Sequence, residues 1–117
     1  MTVPSWKPCS GLTPVEELLM GRLKRTRKLF GFLRRHRLAL FDDAFQRELA
    51  LSYRGHGGKE ALPPAMMAMI LLLQGYVGAS DAEAVELTVV DLRWQLVLGR
   101  IGEQTPACSQ GALQGFR

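Results

Sequence analysis

The segment Leu62–Gly78, LPPAMMAMILLLQGYVG, constrains the fold of this chain more than any other. Pro64 has no amide hydrogen and a φ already suited to a helix, so it fits the first turn, where amides lack intrahelical partners anyway. Gly78 takes the left-handed conformation that ends a helix at little steric cost. The spacing predicts a helix over about Pro64–Val77. That helix is apolar nearly all round, so it must be surrounded by other elements rather than lie on a surface. The run from Ala65 to Leu73 is cut by Gln74 and falls well short of the roughly 20 apolar residues that cross a bilayer. A core helix is the reading, and no membrane partner is expected. With 117 residues, one domain with one modest core follows.

Further helices are marked by their caps. Thr13-Pro14-Val15-Glu16 is a capping box with proline at the first helical position. From it runs a stripe of Leu19, Leu23, Thr26, Phe30 and Leu33, spaced four and three apart. Lys24, Lys28 and Arg35 fall on the opposite side. Arg22 and Arg25 flank one edge of the stripe, Arg27 and Arg34 the other. Arg37 falls on the stripe itself, so the helix is expected to bend or end near there, and Gly31 offers an earlier break. Asp42 or Asp43 caps a next helix in which Phe41, Phe45 and Leu49 recur every four residues. Gly55-His56-Gly57-Gly58 reads as a loop.

Ser80-Asp81-Ala82-Glu83 is a second capping box, starting a helix whose Ala84, Val85, Leu87 and Thr88 face the core. Asp91 caps a short helix with Trp94 and Val97 or Leu98 turned inward, ended by Gly99 and Gly102. Ser109 caps a last helix carrying Leu113 and Phe116. There is no alternating strand pattern and no internal repeat. The expected fold is all-α: a compact bundle of about five to six helices around the central Pro64–Val77 helix. Residues 1–12, with Pro4, Pro8 and Gly11 and no periodicity, are expected to form a disordered tail, and 13–117 the helical domain.

Charge is divided unevenly. Residues 1–59 hold 12 Lys/Arg against 5 Asp/Glu, a net +7, whereas residues 60–117 hold 3 against 6, a net −3. A basic half points to a polyanion, nucleic acid rather than membrane. The density peaks at Arg22, Lys24, Arg25, Arg27, Lys28, Arg34, Arg35 and Arg37, with few acids interleaved to pair them. These eight are the candidate DNA-binding residues, acting on phosphates without regard to sequence. Gln110, Gln114 and Arg117 are candidates for base reading, since Gln can pair with adenine and Arg with guanine. Gly55-His56-Gly57-Gly58-Lys59 lacks phosphate-loop spacing and follows no strand. His36 and His56 have no ligand companions, so no metal site is assigned. Cys9 and Cys108 are expected as reduced thiols. No cofactor or small-molecule substrate is implied. With no apolar leader, a cytoplasmic location is expected.

The ordered combination of Leu-Pro-Pro, QGY, SDAEAVE, DLRWQLVLG and SQGALQGFR resembles the N-terminal domain of bacterial insertion-sequence DDE transposases of the InsH type. FLRRHRLALFDDAFQRELALSY extends the likeness back to about Phe32. The resemblance implies a helical DNA-binding module that directs a transposase to the terminal inverted repeats of its element and precedes the catalytic domain. The sequence ends at Arg117, so the expectation is a fragment cut off before that domain, with no strand-transfer activity of its own. Gly111 and Gly115 depart from what a firm last helix would want, at roughly 1 kcal/mol each against Ala.

DDE enzymes hold two metal ions with three carboxylates on a mixed sheet. Asp81, Glu83 and Asp91 instead sit at helix starts, where a carboxylate complements the helix dipole, so no catalytic residue is assigned. Two alternatives stand beside the DNA-binding reading. The bundle could self-associate or dimerise with a full-length transposase and modulate it, or be a decayed fragment without a selected function.

Overall fold

The computed structural model describes residues 4–23, 28–53 and 62–116. They form seven helices in chain order: α1 (Pro14–Arg22), α2 (Lys28–Leu40), α3 (Asp43–Tyr53), α4 (Pro64–Val77), α5 (Asp81–Val90), α6 (Leu92–Leu98) and α7 (Gln110–Phe116). No strand occurs among the described residues, and the fold is all-α. None of the described helices is long and apolar enough to cross a membrane.

Local chemistry sets most boundaries where the sequence places them. The Thr13 hydroxyl accepts the Glu16 amide, and the Glu16 carboxylate accepts the Thr13 amide. Asp42 accepts from the Phe45 amide, Ser80 from Glu83, Asp91 from Arg93 and Ser109 from Ala112. Each bond satisfies an amide that the first helical turn leaves without a partner. Gly78 ends α4 at φ +74°, and α5 leaves bent by 104° from α4.

The core has two central helices rather than one. α4 buries Ala65, Met66, Met67, Met69, Ile70 and Leu73, as its composition requires. It is flanked by α3, α5, α6 and α7. The short α6 buries five consecutive residues, Trp94 to Leu98, because α1, α2, α4 and α5 all pack on it. Gln95 is tolerated there because its amide is satisfied on both sides. Its Nε2 donates to the carbonyls of Thr88 and Glu103, and its Oε1 accepts the Gly102 amide. Thr88 donates to the Val85 carbonyl and accepts the Ala107 amide, tying the 99–109 loop to α5.

Two expectations are corrected. The helix foreseen from Thr13 through the stripe to Leu33 is two helices. α1 stops at Arg22 and α2 starts at Lys28, with Gly31 inside α2 rather than at a break. Residues 24–27, Thr26 of the stripe included, lie outside the described residues. The N-terminal segment is no disordered tail over residues 4–12. Trp6 is buried edge-on against Phe41, with ring centroids 5.8 Å apart. Gln46 of α3 clamps its backbone in both directions, accepting the Trp6 amide at 2.7 Å and donating to the Trp6 carbonyl at 2.8 Å. One aromatic anchor, the Gln46 amide and hydrogen bonds from Arg34 to Gly11 and from Arg37 to Cys9 hold this strap without any periodicity that a sequence could display.

Trp94 is fully buried. Its indole N–H finds no hydrogen-bond partner among the described residues, so the ring contributes volume to the core. Trp94→Ala should therefore cost about 3–5 kcal/mol, as expected for emptying a large aromatic site. Urea denaturation of the variant measures this, and a near-wild-type midpoint would contradict the central position of α6.

Candidate nucleic-acid interface

α2, KLFGFLRRHRLAL, carries no acid and four of the eight candidate cations, and its two faces use them differently. Helical phase turns Phe30, Leu33, Arg34 and Arg37 inward and Lys28, Phe32, Arg35 and His36 outward. The inward set corrects the sequence reading. Arg34 is 3% exposed and Arg37 2%. Neither offers its guanidinium to a phosphate in this structure.

Both are inside because the chain supplies acceptors there. Arg34 Nε donates to Glu16 Oε2 at 3.3 Å, and its terminal nitrogen to the Gly11 carbonyl at 2.8 Å. Arg37 donates from one terminal nitrogen to the carbonyls of Leu96 (3.1 Å) and Val97 (2.8 Å), and from the other to that of Cys9 (2.7 Å). Leu96 and Val97 lie in the last turn of α6, whose carbonyls have no intrahelical donor and form the negative end of the helix dipole. Arg37 thus caps α6 from the neighbouring helix. This is why α2 runs through Arg37 to Leu40 instead of ending near it. Burial, with the Arg34 charge beside it, pulls the Arg37 pKa down to about 10, which leaves it charged at neutral pH.

Burial pushes the Glu16 carboxyl up. The hydrogen bonds from Thr13 and Arg34 and the charge of Arg34 outweigh this and hold it below its ordinary range. Asp91 is likewise depressed, burial opposing but the paired Arg93 prevailing through bonds of 2.7 and 3.0 Å. Cys9 and Cys108 are free thiols, and burial pushes the Cys108 pKa up.

Lys28 and Arg35 are exposed, as is Arg22 at the end of α1. Among the described residues the ion pairs are Lys7–Asp43, Arg34–Glu16 and Arg93–Asp91, and none engages these three cations. Lys24, Arg25 and Arg27 lie outside the described residues, as does Arg117. Gln110 and Gln114 are exposed on α7, where Gln114 Nε2 is 3.4 Å from Asp81 Oδ2. α7 packs on α4 and α5, whereas α2 packs on α6, so the structure does not gather the base-reading candidates onto α2.

The three acids weighed for catalysis occupy helix starts. Asp91 caps α6 and pairs with Arg93; Asp81 accepts from Gln74 Nε2 at 2.8 Å; Glu83 stands in the first turn of α5. Among the described residues no three His, Cys, Asp or Glu side chains are grouped to hold a metal ion.

Two outcomes follow. Arg37→Ala would leave the buried carbonyls of Leu96 and Val97 and the part-buried one of Cys9 without their donor and should cost about 3 kcal/mol, the scale of stranding buried acceptors; urea denaturation reads it directly. Glu16 has a folded pKa below its unfolded value, so its stabilisation is present above the ordinary carboxyl pKa near 4.5. That stabilisation is lost as pH falls through the lower folded value. Thermal unfolding followed from neutral to acid pH should show Glu16→Gln less stable at neutral pH, with the gap to wild type closing in acid.

Residues 22–117 match the family model described as Transposase domain (DUF772). No curated protein and no solved structure matches the chain.

Proposed function

The chain belongs to the transposase-domain family (DUF772), and on that premise we propose that it is the DNA-binding N-terminal module of an insertion-sequence transposase of the InsH type. The observation that carries this reading is the outward face of α2. Lys28 and Arg35 stand seven residues apart on a helix that contains no acid. They are exposed, and no described acid neutralises them. Cations so placed gain from phosphates by releasing counterions. Arg22 exposes a further charge at the end of α1. Element ends, the terminal inverted repeats, are the expected DNA, and a bacterial cytoplasm the expected setting. Asp81, Glu83 and Asp91 serve helix starts, so the reading assigns binding rather than strand transfer.

A second reading, docking onto another copy or a full-length transposase, has its own observation. Val15 and Leu18 share one face of α1 and are 51% and 66% exposed. Apolar side chains adjacent on a surface helix are where a partner would gain most. Co-purification with full-length transposase in the absence of DNA would favour it.

The test of the first reading is a mobility shift over a range of salt. Replacing Lys28 and Arg35 by Ala should weaken binding alike on unrelated DNA sequences. The log–log salt slope should flatten by about 0.9 for each phosphate that is no longer neutralised. Affinity and slope unchanged by both substitutions would remove α2 from the interface.

A further inference from the structure

The same face of α2 carries a feature that phosphate binding does not use. Phe32 lies between Lys28 and Arg35 in sequence and is 51% exposed. Four residues on, the exposed His36 packs against it, ring centroids 4.5 Å apart and planes tilted by 42°. Lys28, Phe32, Arg35 and His36 follow i, i+4, i+7, i+8 spacing, so they form one continuous stripe. At 1.5 Å per residue the two cations lie roughly 10 Å apart along the axis.

Resting on the reading of α2 as a DNA contact, we propose that Phe32, backed by His36, is a stacking platform for an unpaired DNA base, with Lys28 and Arg35 holding the flanking phosphates. An aromatic ring inside a cationic stripe matches the two chemistries of a single strand, π-faces and backbone charge. The charge pattern selects this occupant over an apolar protein surface, because a partner covering Phe32 would also have to neutralise cations on both sides of it. In duplex DNA the base faces are stacked on one another and closed to Phe32. The platform therefore acts on single strands, frayed ends or extruded bases.

The experiment uses the full chain with a labelled oligothymidylate and a blunt duplex of equal length, in fluorescence anisotropy. Phe32→Ala should weaken oligothymidylate binding by about tenfold or more, the effect of losing one stacked base. Duplex affinity and both salt slopes should stay near wild type. Phe32→Trp should retain strand binding, and the added tryptophan emission should be quenched by the oligonucleotide. Phe32 is half exposed, so its replacement leaves the core intact, and a thermal scan checks this. Equal effects of Phe32→Ala on both DNAs, or none on either, overturn the platform. If Lys28→Ala/Arg35→Ala still weakens duplex binding in that case, the DNA-contact reading survives alone. Failure of the wild-type chain to bind either DNA at low salt overturns both.

Discussion

Arg37 is the constraint on which the packing of this bundle turns. One guanidinium joins α2, the end of α6 and the N-terminal strap through three carbonyl acceptors. A charge taken out of water is expensive unless its donors are used. Here the acceptors include carbonyls that α6 would otherwise leave bare at its C-terminus. Gly99 makes the junction possible in two ways. It ends α6 at φ +74°, which favours glycine, and a Cβ there would stand 3.1 Å from Pro8 Cβ and 3.4 Å from an Arg37 nitrogen. Loop, strap and guanidinium thus share a space that no side chain at position 99 leaves free. Sliding α2 along α6 would carry the charge away from those carbonyls, so the bond favours the register in which the two helices lie.

The elements legible in sequence are those whose causes are local. Thr13 with Glu16, Ser80, Asp91 and Ser109 satisfy amides two or three residues away, and Pro64 and Gly78 bound α4 by their own backbone preferences. The causes that were not legible span long separations. Gln46 reaches Trp6 across 40 positions, and Arg37 reaches Leu96 and Val97 across 59 and 60. A strap held by one tryptophan and by side chains reaching it from distant helices has no period to find. A charged residue on an apolar stripe reads as the end of a helix unless its distant acceptors are known. The candidate interface divides in the same way. Helical phase correctly sets Lys28 and Arg35 outward, but charge density alone could not tell them from Arg34 and Arg37.

Burying Arg34 and Arg37 alters the electrostatic field of the basic half less than it alters the grip on a phosphate backbone. Arg34 is neutralised by Glu16, so that pair contributes nothing net. Arg37 remains charged at neutral pH although it is buried. The basic half therefore keeps nearly all its long-range attraction for a polyanion, which depends on net charge. What burial withholds is direct bonding to phosphate oxygens, which depends on exposed donors. On the proposed reading, encounter would draw on the net charge of the whole basic half and grip on its exposed donors alone.

That division also separates how the two sets respond to solution conditions. Arg34 and Arg37 are almost wholly buried, so dissolved salt screens their bonds little. Lys28 and Arg35 stand in solvent, where their attraction for phosphate weakens steeply as salt rises. One helix thus combines a stability term that salt barely moves with a binding term that salt governs. The Phe32–His36 pair adds a third kind of interaction to the outer face. Stacking is set by the touching of rings rather than by net charge, so it persists at salt concentrations that erase the cations' share. A module built this way would meet DNA through its field and hold a backbone through two cations. It would discriminate by strand character through an aromatic ring that the fold itself does not need buried.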